Sequence, residues 1–162
     1  MKHTISILVE NHAGVLSRIS GLFSRRGFNI DSLAVGITDD PTISRITIIV
    51  NGDAYTVEQV EKQLNKLIDV IKLKRLAPEE TISRELMLVK VACNAKNRGD
   101  IIDIARVMQS KISDISPTTI TIEISDTTEQ LEILQELLKP YGILEVVRTG
   151  TIALQKGHEI IN

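Results

Sequence analysis

The sequence predicts an α+β protein built from two successive β-α-β-β-α-β units. Three observations carry this. Short β-branched runs alternate with amphipathic stripes over residues 4–76, a polar stretch with a proline follows at 77–81, and the same order of elements then returns.

Residues 4–10 alternate, with Ile5, Ile7 and Val9 on one face of a strand. Val15, Ile19, Leu22 and Phe23 follow at helical spacing, and Gly27 sits where a left-handed residue commonly ends a helix. Residues 30–37 form a second strand, Asp39-Asp40-Pro41 a turn and the β-branched run 43–50 a third strand. Thr56 is the expected N-cap of a second helix with the stripe Val57, Val60, Leu64 and Leu67, and Val70–Leu76 is the fourth strand. This order is the ferredoxin-like arrangement.

The polar segment Ala77-Pro78-Glu79-Glu80-Thr81 marks a boundary, so the expected domains are 1–76 and 84–162 with a linker at 77–83. In the second domain, 84–92 is a strand, and Ile101, Ile104, Ala105 and Met108 trace a helix. Strands at 112–115 and 118–125 meet at Ser116-Pro117. Leu131, Leu134 and Leu138 form a second helix stopped by Pro140, and 143–154 is a single last strand. The fold class is therefore two ferredoxin-like βαββαβ domains in tandem.

The 162 residues are 43% apolar and 25% charged, as in soluble globular proteins, but only 2% aromatic, so Ile, Leu and Val must build the cores. A net charge of −2 offers no basic field for nucleic acid or an anionic membrane. The single cysteine, Cys93, excludes an internal disulfide and fits a reducing compartment. No apolar run reaches the ~20 residues of a spanning helix, and the start of the chain carries no signal-peptide pattern, so a cytoplasmic location is expected.

The junction after the first strand, Asn11-His12-Ala13-Gly14, runs directly into the first helix. A helix start presents unpaired N–H groups and the positive end of the dipole, and Gly14 allows close approach to that backbone. A carboxylate can bind there without a cationic side chain. Asn11 offers an amide, and Ala13, Val15, Leu16 and Ile30 are small or apolar, which suits an aliphatic amino-acid zwitterion. Asn and Gly are also ordinary cap and turn residues, and spacing alone favours that plainer use. His12 in a loop is more often solvated than bound.

In this topology the second strand lies at a sheet edge. Residues 32–37, Ser-Leu-Ala-Val-Gly-Ile, carry neither charge nor proline, the usual blocks to edge pairing. Pairing this edge with its copy across a two-fold axis brings Asn29 and Ile30 of one subunit near the 11–16 loop of the other. Asn29 equally fits a residue that finishes the turn after Gly27.

The stretch "ENHAGVLSRISGLFSRRGFNIDSLAVG", residues 10–36, resembles the N-terminal signature of the small, regulatory subunits of acetolactate synthase (acetohydroxyacid synthase), and the likeness extends to "RELMLVKV" in the second domain. The resemblance implies an ACT domain at 1–76 and a chain with no catalysis or cofactor of its own. It implies a homodimer through the ACT edge strand, bound to a large catalytic subunit that carries thiamine diphosphate, Mg and FAD. That subunit would be activated by this chain and made sensitive to valine, in branched-chain amino-acid synthesis. The effector contacts it implies are Asn11, His12, Ala13, Gly14, Val15 and Leu16 of one chain with Asn29 and Ile30 of its mate.

The residues agree with a non-catalytic role. His3, His12 and His158 have no metal-ligand spacing, Cys93 lies in an apolar strand pattern, and no phosphate loop or Ser elbow motif occurs. A ferredoxin-like sheet that binds RNA stacks bases on aromatics, and 43–50 has none. The closer alternative is a stand-alone ACT-type amino-acid sensor acting on another partner.

Overall fold

The structure, a computed structural model, describes residues 1–161 and divides into two units: Met1–Ile82 together with the segment that begins at Thr151, and Ser83–Gly150.

The first unit contains β1 (Lys2–Glu10), α1 (Val15–Arg26), β2 (Ile30–Ile37), β3 (Ile43–Asn51), α2 (Ala54–Asn65) and β4 (Val70–Leu76). The strands order as β2-β3-β1-β4, all antiparallel, so β2 and β4 are the edges. Side chains alternate across the sheet, and register sets Ile5 opposite Ile48 and Ile7 opposite Ile46. All four are fully buried with Val15, Ile19, Leu22 and Phe23 of α1 and Val57, Val60 and Leu64 of α2. Each such side chain contributes roughly 1.5–3 kcal/mol. Phe23 and Phe28 meet edge to face at 6.0 Å between centroids. Gly27 ends α1 in the left-handed conformation, φ 67°, as its position predicts.

The start of α2 differs from expectation. Asp53, not Thr56, is the N-cap: its side chain accepts from the Thr56 N–H at 2.8 Å. Both residues fit a cap by type, but an aspartate ahead of Ala54 gains an extra turn of helix. Leu67, expected on the α2 stripe, lies beyond Asn65 and packs against the core from the connection to β4.

The second unit contains most of β5 (Thr81–Ala92), then α3 (Arg98–Val107), β6 (Lys111–Ile115), β7 (Thr119–Asp126), α4 (Thr128–Leu138) and β8 (Ile143–Arg148). Its strand order, β6-β7-β5-β8, repeats the first pattern. Ile101 and Ala105 of α3 and Leu131, Leu134 and Leu138 of α4 close the core over Val89, Ile120 and Ile122. Cys93 is buried in that cluster, its Sγ 3.8 Å from the Ser116 carbonyl oxygen. Glu85 on β5 is clamped by Arg148 on β8 through Nε–Oε1 at 2.8 Å and Nη2–Oε2 at 2.9 Å, with Thr128 Oγ1 donating at 3.1 Å. That pairing holds the Glu85 carboxyl below the usual carboxylate range.

Three boundaries are corrected. The expected linker at 77–83 is a single 3-10 turn, Pro78–Glu80, after which β5 already begins at Thr81. The expected strand 143–154 is two strands, β8 and β9 (Ile152–Gln155), because Gly150 takes φ 85° and turns the chain. The expected second domain, 84–162, ends early, since the segment from Thr151 belongs to the first unit.

That segment lies on the face of the first sheet away from the helices. Thr151 N–H donates to Ser32 Oγ at 3.0 Å, and Arg45 Nη2 donates to the Ala153 carbonyl at 2.9 Å. Register places Ser32, Arg45, Thr47 and Ser6 on that same face, and Ser6 and Thr47 are buried. Ser6 Oγ has no hydrogen-bond partner among the described residues.

Candidate functional site

The β1–α1 junction brings Asn11, His12, Ala13, Gly14, Val15 and Leu16 together, as continuous sequence must; what the structure adds is their geometry. Gly14 is the N-cap residue of α1, with φ 89°, and no side chain caps the helix. This conformation favours glycine. Val15 N–H reaches the His12 carbonyl only at 3.5 Å, and Arg18 N–H closes on Gly14 O at 3.0 Å. The amides of Leu16 and Ser17 meet no acceptor among the described residues. By contrast, α4 is capped by Thr127, as α2 is by Asp53. The start of α1 is therefore a bare, positively polarised turn.

The neighbouring loops fix this turn in place. Asn11 N–H donates to Thr42 O at 2.8 Å, and Asn11 Nδ2 donates to Pro41 O at 2.9 Å, fastening the β1–α1 loop to the β2–β3 turn. Asp40 shapes that turn by accepting from both the N–H and the hydroxyl of Thr42, which holds its carboxyl below the usual range. One arm of the Asn11 amide is thus structural, while its Oδ1 has no partner among the described residues. The Val15 side chain is buried in the core and offers a site only its backbone, whereas Leu16 is exposed.

His12 is far from free. Its Nδ1 lies 3.2 Å from the Ala13 carbonyl, and its Nε2 lies 3.1 Å from Glu10 Oε2 and 3.0 Å from Asp69 Oδ1. Asp69, in the connection from α2 to β4, has a side chain 5% exposed and takes Arg18 Nε on Oδ2 at 2.6 Å. The Arg18 guanidinium depresses the Asp69 pKa, and the Ala13 carbonyl and Glu10 raise that of His12. The guanidinium also lies against Gly14: a Cβ there would fall 3.2 Å from Arg18 Nη1. Glu10, His12 and Asp69 bring ligand atoms within 4.8 Å of one another, but Arg18 already neutralises Asp69, and we assign the cluster no metal.

Asn29 and Ile30 stand apart from this loop within one chain. Asn29 O accepts from Asn51 N–H, and Ile30 pairs with Val50, which pairs in turn with His3 at the start of β1. Asn11 follows the other end of β1. A single chain therefore separates the two groups by the length of the sheet.

Sequence reasoning did not single out Glu10, Arg18 or Asp69 for this site. Arg18 and Asp69 carry no local signal, because what matters about them is a contact across 51 residues.

Comparison with known proteins gives a consistent picture. Residues 5–72 match the family described as "AHAS small subunit-like ACT domain", and residues 84–157 match "Small subunit of acetolactate synthase". The acetolactate synthase small subunit of Mycolicibacterium smegmatis is 48% identical over 155 residues, covering 96% of this chain and 91% of that protein. A probable acetolactate synthase small subunit of Archaeoglobus fulgidus is 45% identical over 98% of this chain and 99% of its own. The crystal structure of the acetolactate synthase small subunit from Thermotoga maritima superposes with a TM-score of 0.91 at 36% identity, covering 98% of this chain and 99% of that one. With both of its units matched and its length spanned, the chain belongs to the acetolactate synthase small-subunit family.

Proposed function

We propose that this chain is a non-catalytic regulatory subunit that binds the large catalytic subunit of acetolactate synthase in the cytoplasm, activates it and confers feedback inhibition by valine. Thiamine diphosphate, Mg and FAD belong to the catalytic subunit. The observation that carries the effector reading is the uncapped start of α1, with Gly14 in the left-handed region and two amides unsatisfied. A carboxylate answers both the hydrogen-bonding need and the helix dipole. Leu16 supplies an exposed aliphatic wall, and the valine ammonium falls to Asn11 Oδ1 and to Asn29 of the second protomer.

Geometry favours a site completed by a second protomer. β2 is an edge whose Val35 and Ile37 are exposed. A two-fold axis beside it pairs the two β2 strands antiparallel, so the Ile30 end of one meets the Ile37 end of the other. The Ile37 end leads to the 38–42 turn that Asn11 holds. This arrangement closes the distance that separates Asn29 from Asn11 in one chain. A ligand bridging two protomers stabilises one arrangement of the pair over others, which is the physical requirement for regulation.

The test is direct: the chain is mixed with the catalytic subunit, and acetolactate production is followed while valine is titrated. Activation on mixing and inhibition by valine are expected. A mixture no more active than the catalytic subunit alone, or one indifferent to valine, would end the proposal.

A further inference from the structure

The ionisable side chains beside the β1–α1 loop form a network that is complete in only one protonation state. All three neighbours of the His12 ring are acceptors: the Ala13 carbonyl at Nδ1, and Glu10 Oε2 and Asp69 Oδ1 at Nε2. A neutral imidazole carries one N–H, so one ring nitrogen must then turn its lone pair toward an acceptor. The imidazolium donates on both sides.

Charge points the same way. The groups facing the ring are Glu10 from β1, Asp69 from the α2–β4 connection and, through Asp69, Arg18 from α1. Two carboxylates against one guanidinium leave a net negative charge while the ring is neutral, and none once it is protonated. Gly14, which opens the bare first turn of α1, lies two residues after His12, and the Arg18 guanidinium that pairs with Asp69 lies against it. An arriving carboxylate is opposed by the unprotonated cluster and accepted by the protonated one.

We propose that effector binding at this loop is linked to protonation of His12, so that the chain takes up a proton as the effector carboxylate binds. The inference rests on the reading of the loop as the effector site. The contacts with the Ala13 carbonyl and Glu10 already raise the His12 pKa above its ordinary value, while Asp69 is held low by Arg18, so the ring is the member of that pair whose charge changes as pH rises from acid. A raised pKa means that the stabilising contacts are fully present below the unperturbed value and are lost as pH rises through the folded one. Effector affinity therefore falls as pH rises through that value, and by reciprocity the effector raises the His12 pKa further.

Calorimetry of valine binding to the full-length chain, at one pH near neutral in two buffers of different ionisation enthalpy, reads the proton directly. Wild type is expected to take up a fraction of a proton per valine and to lose affinity several-fold between about pH 6 and about pH 8.5. His12→Gln is expected to show neither effect. An NMR titration of the wild-type imidazole signals, with and without valine, reads the same linkage without a variant; one of the three histidines should titrate at higher pH when valine is present. Valine binding with no proton uptake, uptake unchanged in His12→Gln, or no histidine shift would overturn the linkage alone. No valine binding at any pH would overturn the effector site and the linkage together.

Discussion

Arg18 and Asp69, 51 residues apart, are joined from Nε to Oδ2 at 2.6 Å, and the guanidinium so held lies against Gly14. The first turn of α1 is thereby tied to the connection that leads into β4. A residue at position 14 must take φ near 89° and also share space with a fixed cation.

Gly14→Asp should therefore disable effector binding for two reasons. The left-handed backbone costs a non-glycine residue roughly 1–2 kcal/mol. The new carboxylate would also sit beside Arg18 and the bare amides, where the effector's own carboxylate is proposed to go. Valine affinity should fall at least tenfold by calorimetry, with assembly on the catalytic subunit retained. Gly14→Ala, which carries the strain without the charge, should lose less. Unchanged valine affinity in Gly14→Asp would remove the loop as the site.

The edge strand makes a separate prediction. Val35 on β2 is 46% exposed, and β2 carries no charge from Ser32 to Ile37. Val35→Lys places a cation where two copies of the edge would meet, a common natural block to pairing. Sedimentation should show a dimer for the wild type and a shift toward monomer in the variant, with weaker valine binding alongside. A variant that stays dimeric with full affinity would move the interface elsewhere.

Acid should weaken the second unit through Glu85. The carboxyl is 6% exposed, and its pKa is lowered chiefly by Arg148. A lowered pKa means that the contribution is present above the unfolded value and is lost as pH falls through the folded one. Chemical denaturation should show stability falling below about pH 4.5, with Glu85→Gln less stable at neutral pH and flatter on the acid side. Arg148→Ala leaves Glu85 buried and unpaired and should cost about 3 kcal/mol at neutral pH. Equal acid dependence in wild type and Glu85→Gln would assign the effect to other carboxylates.

Removing the chain from Thr151 onward should damage the first unit rather than the second. The deletion strips Ser32 and Arg45 of their partners on the sheet face that also carries the buried Ser6 and Thr47. Hydrogen exchange should show lost protection in β1 and β3, and in β5 where β9 pairs with it, with β7 nearly unchanged. The opposite pattern would contradict the assignment of this segment.

Much of the fold was legible because burial is one-sided. Val15, Ile19, Leu22 and Phe23 recur at helical spacing, and all four face the core; Leu131, Leu134 and Leu138 do the same on α4. Boundaries were less legible where two residues compete for one role, as Asp53 and Thr56 did for the α2 cap. Gly150 sits in a run that reads as continuous strand, and only its positive φ reveals the turn that separates β8 from β9. In the candidate site, Asn11 and Gly14 were legible because cap and turn chemistry is local. The Arg18–Asp69–His12 network was not, because it exists only when the α2–β4 connection folds back to the start of α1.

The first unit is discontinuous in sequence: residues 1–82 are finished by a segment made after the whole second unit. The sheet that carries the buried Ser6 and Thr47 is completed by a segment translated only after Gly150. Synthesis order and assembly order therefore part company here. A lesion that removes the chain from Thr151 onward falls on the unit that was made at the beginning.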